Sequence, residues 1–271
     1  MTIGDTSSIS SVINRQINNS SQKVKSSLEQ ISSGRRINKA SDDPAGLALA
    51  LNLMAGADTN NVAARNISDG VSLASVADGA LQQAGDITTR MAELSTQAAN
   101  GTLSQSQRSS LDQEYQSLRQ EMDRISATTQ FNGMSLLNGS NPISLQVGND
   151  SSENSRISLN RTSLSSQSLG LPQSIATQED ATAGLDQIKQ AAKQVDQART
   201  DIGAVVNRLG QSLENAKTTE LGEREAAGRI MDVDLADQTS KLIASQISQR
   251  AAAAVSAQAN LQPEIALKLL S

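Results

Sequence analysis

Apolar residues recur at threes and fours along most of this chain, the spacing that gathers them on one face of a helix. The first stripe is Ile9, Ile13, Ile17, Val24, Leu28 and Ile31, with Ser and Asn between them, and it predicts a helix over about residues 5–32. Gly34 in SSGRRIN interrupts it. The next start is marked by Asp43, which can cap, and Pro44 at the first helical position, where a missing N–H costs nothing. No further Pro occurs before Pro142, and Asn100-Gly101 supplies a stop. A helix from 44 to about 99 follows, about 84 Å long at 1.5 Å per residue. Its stripe reads Val71, Ala74, Ala77, Leu81, Ala84, Ile87, Met91, Leu94 and Ala98.

Ser104 with Gln107 has the form of a capping box and opens a second helix through Leu111, Tyr115, Leu118, Met122 and Ile125, giving an antiparallel helical hairpin. Residues 130–175 break the pattern. Two Asn-Gly turns occur in QFNGMSLLNGS, and the alternating ISLQVG and RISLNRTSL read as a β-hairpin. Thr177 can cap the next long helix, with its seam at Leu185, Ile188, Ala192, Val195, Ile202, Val206, Leu209, Leu213 and Ala216; Arg199 alone breaks the alternation of 3 and 4. The pattern pauses around Gly228 and restarts at MDVDLADQ, running through Leu242, Ile243, Ile247, Ala251 and Ala254 until Asn260 and Pro263 break or kink it. The fold class is therefore mainly α: a long antiparallel bundle or coiled coil with a small β-hairpin region at mid-chain. Three segments are expected, at 1–43, 44–227 and 228–271.

The last residues are unusual for a terminus, carrying Leu261, Ile265, Leu267, Leu269 and Leu270. Burying five such side chains is worth on the order of 10 kcal/mol. A two-helix terminal pair has too little interior to hold both stripes. Burial between subunits is the expectation, with docking onto the N-terminal stripe of the same chain as the alternative.

Composition narrows the chemistry. Of 271 residues, 23 are Lys or Arg and 28 Asp or Glu, a net charge of −5 that points to no nucleic acid or anionic membrane. One Phe, one Tyr and no Trp suit thin helical layers packed from Ala, Leu, Ile and Val. With no Cys and no His, disulfides, thiolate metal sites and the usual neutral-pH base are missing. Asp232, Asp234 and Asp237 stand at a helix start, where capping and the helix dipole account for them. No catalytic, cofactor or metal site is expected, and no enzyme. The start lacks the basic and apolar regions of a Sec signal, and no apolar run approaches the roughly 20 residues of a membrane span.

The stretches ISSGRRINKASDDPAGLALALNL, LSTQAANGTLS, ISATTQFNGMSLLNG and AQANLQPEIALKLLS together resemble bacterial flagellins at matching places in order. The resemblance implies an extracellular filament subunit for swimming motility, polymerising with itself into a helical homopolymer. Its terminal helices would line the inner tube, through Ile9, Ile13, Ile17, Val24, Leu28, Ile31, Leu242, Ile247, Leu261, Ile265, Leu269 and Leu270, and its long helices would form the surrounding layer. Only about 45 residues separate TQFNG from the final long helix, too few for a further folded domain, so the chain resembles a minimal form. The resemblance further implies export through the flagellar type III apparatus without a cleaved signal, an export chaperone, and contact with hook-associated cap and junction proteins. Flagellins recognised by a Toll-like receptor present an Arg and a Leu one turn apart, with a Glu on the next helix; Arg90, Leu94 and Glu114 match, although Thr89 stands where that pattern has Gln. Two readings stay open for this trio, receptor or protofilament contact on one hand, and a seam leucine beside solvated helix charges on the other. A hook–filament junction protein is the alternative function.

Overall fold

The structure is a computed structural model that describes residues 3–139 and 141–270, with side chains from Ser11 to Ala259 apart from Ser140. Five α-helices dominate: α1 (Ile3–Ser33), α2 (Pro44–Ala98), α3 (Gln105–Thr128), α4 (Gln178–Met231) and α5 (Leu235–Leu270). Two antiparallel strand pairs lie between α3 and α4, β1 (Gln130–Phe131) with β2 (Met134–Ser135) and β3 (Ile143–Gln146) with β4 (Arg156–Leu159). The chain forms two compact units, residues 56–221 and the pair of segments 1–55 and 222–271.

In the 56–221 unit the core runs along α2 as Ile67, Ala74, Ala77, Leu81, Ala84, Met91 and Ala98, all 0–2 % exposed. Tyr115 and Met122 face it from α3, and Ile188, Val195 and Leu209 from α4. Ser104 and Gln107 form the expected capping box. The Thr177 hydroxyl accepts from the Asp180 N–H at 3.0 Å, capping α4. The buried Arg108 closes the other end of α2. Its Nε donates to the Ala98 carbonyl at 2.8 Å and its Nη2 to Asn100 at 3.2 Å, partnering carbonyls that a helix end leaves free and placing a positive charge at the negative pole. Arg108→Ala is expected to lower unfolding free energy by about 1–3 kcal/mol in a urea titration, because the carbonyl of the buried Ala98 loses its partner.

One α4 feature differs from expectation. The stripe that faces inward is Ala181, Gly184, Ile188, Ala191, Val195, Ala198, Ile202, Val205 and Leu209, all buried. Ile188, Val195, Ile202 and Leu209 belong to it, whereas Leu185, Val206 and Leu213 are only half-buried along its flank. The second position of each repeat lies one residue earlier than the apolar pattern suggests, where small side chains let α4 approach its neighbours. Arg199 therefore interrupts nothing. It lies beside the seam and pairs with Asp78 at 3.2 Å.

The turn between β1 and β2 uses Asn132 and Gly133, both with left-handed backbone (φ 49° and 78°), as an Asn-Gly hairpin turn requires. β3 and β4 pair Ile143 with Leu159 and Leu145 with Ile157, and Ile157 and Leu159 are buried. From there the chain returns along α3, held by two aspartates. Asp123 accepts from the Ser166 N–H (2.7 Å) and hydroxyl (2.9 Å); Asp112 accepts from the Ile175 N–H (2.7 Å) and the Ser174 hydroxyl (3.0 Å). Between these clamps the fully buried Tyr115 donates its hydroxyl to the Pro172 carbonyl at 2.9 Å, and burial pushes its phenol well above the ordinary tyrosine range.

In the other unit α1 and α5 lie side by side, and the first turns of α2 pack with the last turns of α4 through Ala50, Ala227 and Met231. Gly34, at φ 70°, ends α1. The chain beyond it is stitched to the end of α4: the Arg36 N–H reaches the Met231 carbonyl and its guanidinium the Ile230 carbonyl, both at 2.6 Å. The Val233 N–H bonds the Gly34 carbonyl at 3.1 Å. Asp42 closes the turn before α2 by accepting from the backbone of Lys39 and Asn38, which holds its carboxyl below the usual carboxylate range. Asp43 then caps α2 through the Gly46 N–H at 2.9 Å. At Gly228 the expected pause does not occur: α4 continues to Met231, and the break falls at 232–234, where Asp234 caps α5 through the N–H groups of Ala236 and Asp237. Nor does α5 break at Asn260 or Pro263; it runs on to Leu270.

Candidate assembly surface

The α1–α5 pair is built on an unusual seam. On α1 the inward positions are Ile13, Ile17, Ser20, Val24, Ser27 and Ile31, spaced 4-3-4-3-4; Ser20 and Ser27 are 3 % and 5 % exposed, and the four apolar residues half-buried. On α5 the matching positions are Gln238, Leu242, Ser245, Gln249, Ala252 and Ser256, of which Gln238 is buried. Hydrogen bonds cross between the helices: the Gln238 Nε2 donates to the Ser27 hydroxyl at 3.0 Å and to the Gln30 Oε1 at 2.6 Å, and the Gln249 Nε2 to the Ser21 hydroxyl at 2.8 Å. Hydroxyls and amides thus occupy places that Leu and Ile fill in an ordinary coiled coil.

The apolar residues displaced from that seam face out. Val12 and Leu28 on α1 and Leu235, Ile243, Ile247 and Val255 on α5 are 50–62 % exposed. Leu28 and Ile247 are legible from the stripes; Val12, Leu235 and Val255 are not, because each lies off the heptad run that dominates its helix. The side chains of Ile9, Leu261, Ile265, Leu269 and Leu270 lie outside the described residues.

On the 56–221 unit, Arg90 and Glu114 are brought together across α2 and α3. The Arg90 Nε and Nη2 both reach the Glu114 Oε1, at 2.9 and 2.7 Å, and Nη1 reaches Glu93 at 2.9 Å. The hydrogen bond to Glu114 is the chief cause of a raised Arg90 pKa. Leu94 does not share that surface. It is 0 % exposed in the helical core, one turn on and turned inward with Met91 and Ala98. Among the described residues no group of acidic side chains is arranged to hold a metal ion, and no helix is long and apolar enough to cross a membrane.

Two family models match the chain: the bacterial flagellin N-terminal helical region over residues 5–142 and the bacterial flagellin C-terminal helical region over residues 185–270. Similar curated proteins include a flagellin of Halalkalibacterium halodurans, 37 % identical over 245 residues and covering 90 % of each chain. The flagellar filament 30.7 kDa core protein of Treponema maltophilum is 33 % identical, over 95 % of this chain and 96 % of that one. Among solved structures, the crystal structure of Bacillus cereus flagellin is similar with a TM-score of 0.50 and 31 % identity, covering 56 % of this chain and 88 % of that one. The chain belongs to the bacterial flagellin family, structural subunits of the extracellular flagellar filament and not enzymes.

Proposed function

We propose that this chain polymerises into a flagellar filament by burying the outward faces of α1 and α5 between subunits, and that the terminal pair becomes fully ordered only on docking. The observation that carries this reading is the mixed polarity of the pair: amides and hydroxyls fill half of the seam positions, while Ile243 and Ile247 are 57 % and 62 % exposed outside. Each such Ile gains about 1.5–3 kcal/mol when removed from water. A pair whose own seam is half polar has less to hold it together alone, whereas a ring of neighbours supplies further apolar contact. Coupling order to assembly keeps free subunits from associating indiscriminately.

On this reading residues 1–43 and 228–271 form the inner tube and its connecting spokes, and 44–227 the surrounding helical layer. Leu28 and Ile247 contribute to subunit packing directly, Ile13, Ile17, Val24, Ile31 and Leu242 support it from the seam between α1 and α5, and Ile9, Leu261, Ile265, Leu269 and Leu270 join them. The exposed apolar faces also suit a chain that travels unfolded through the type III apparatus and is masked beforehand by an export chaperone. The exposed Arg90–Glu114 pair is offered to a neighbouring protofilament or a Toll-like receptor, with Leu94 supporting it from within the core.

The test is seeded polymerisation of purified full-length chain under salting-out conditions, which strengthen apolar burial. Long tubes with a rise in helicity are expected. Deleting residues 261–271 should abolish tubes and leave the thermal unfolding of the core unchanged; polymerisation that survives the deletion would sink the proposal. A chain that caps the seeds without extending them would instead identify a junction protein.

A further inference from the structure

A seam with polar residues at heptad positions costs stability, so its persistence asks for a reason. Gln238 is 8 % exposed, and both of its amide N–H groups have acceptors, the Ser27 hydroxyl and the Gln30 Oε1. Gln30 is itself oriented, because its Nε2 donates to the Arg36 carbonyl at 2.7 Å. Arg36 in turn is fixed to the last turn of α4 through Met231 and Ile230. A chain of hydrogen bonds therefore runs from the end of α4 through Arg36 and Gln30 to the buried amide of α5.

Sliding α5 by one heptad along α1 breaks this chain in either direction. Moved one way, Gln238 meets Ser20 and Lys23; the hydroxyl accepts one N–H, but the ammonium of Lys23 accepts nothing. Moved the other way, it passes beyond Ser33, the last residue of α1, and meets Gly34 and Ile37. The apolar positions are far more permissive, since Ile17, Val24 and Ile31 repeat every seven residues and look alike to a sliding partner. Apolar contacts thus leave the alignments alike, and polar ones tell them apart: the buried Gln238 amide at the centre, with the Gln249–Ser21 bond and the Val233 N–H on the Gly34 carbonyl acting in the same sense.

We propose that Gln238, with Ser27 and Gln30, is the register-determining element of the terminal helix pair, selecting one alignment of α5 on α1 at the cost of a less stable seam. The inference rests on the assembly reading for its purpose: subunits that all present the same alignment stack into a uniform tube. Its own content, a unique register, is separately measurable.

The test uses the chain's lack of cysteine. Paired cysteines are placed at Ser21 and Gln249, which touch in the native alignment, or at Ser21 and Leu242, or Ser21 and Ser256, each one heptad off. A heptad slip moves partners by about 10 Å, beyond the reach of a disulfide. Full-length chain, soluble and after seeded polymerisation, is oxidised with diamide and the cross-linked fraction measured. Against the parent background the native pair should close in preference to both slipped pairs by about tenfold or more. With Gln238→Leu added, a slipped pair should close to within about twofold of the native pair while helicity is kept or increased, because Leu suits the seam. Gln30→Leu, which removes the second acceptor together with the bond to the Arg36 carbonyl, should shift the ratio in the same direction. A purely structural role predicts the reverse, lost helicity with register unchanged. Exclusive closure of the native pair in both Leu variants would overturn the proposal, as would a parent chain in which the native pair fails to close in polymer and in solution. If the parent forms no polymer but keeps the native cross-link in solution, the assembly reading fails and the register inference stands.

Discussion

The double substitution Ile243→Asp with Ile247→Asp is expected to abolish filament formation completely while leaving the soluble chain as stable as the parent. Both side chains are more than half exposed, so charging them removes little contact within the subunit. Buried between subunits, each carboxylate would lose its water without gaining a partner, at a cost of several kcal/mol per site. Every subunit carries both, so the penalty repeats along the tube. The measurement is sedimentation after seeding, with circular dichroism on the soluble fraction. A parent-like pellet from the double variant would mean that this face of α5 stays in water after assembly.

The second large effect concerns the seam of α4. Ala198→Asp is expected to destabilise the 56–221 unit by about 3–5 kcal/mol, because an unpaired charge would sit in a core position only 6 % exposed. The neighbouring Arg199→Ala should cost about 0.5 kcal/mol, since its pair with Asp78 lies partly in solvent, with side chains 39 % and 45 % exposed. Paired urea titrations at these adjacent positions check the placement directly. Comparable losses at both would place the seam where Arg199 interrupts it.

That comparison also shows what was legible in the chain and what was not. Helix starts could be read because their causes are local: Asp43 before Pro44, the Ser104–Gln107 box and the Thr177 cap each involve residues at most three apart. The Asn132-Gly133 turn could be read for the same reason. The seam of α4 was displaced by one residue at every second position because Ala191, Ala198 and Gly184 carry little apolar signal, while their half-exposed neighbours Leu185 and Val206 carry much. Closeness of packing, which rewards small side chains, does not appear in a hydropathy pattern. Spacing alone leaves Leu94 open between core and surface, and only the packing of α2 against its neighbours separates it from Arg90, four residues earlier.

The terminal pair was legible in outline and misleading in detail. Its stripes identify two amphipathic helices, yet the residues that join those helices include Ser20, Ser27 and Gln238, which no apolar periodicity can single out. Their role depends on partners more than 200 positions away in sequence.

The single tyrosine makes the molecule its own optical reporter. Tyr115 is the only tyrosine, tryptophan is absent, and its ring is buried in the 56–221 unit with its hydroxyl on the Pro172 carbonyl. Intrinsic emission and alkaline phenolate absorbance therefore register the melting of that unit and are blind to α1 and α5. Far-ultraviolet ellipticity sees every helix. The difference between the two signals isolates the ordering of the termini, so growth of the tube can be followed in real time without a dye, a tag or an altered residue.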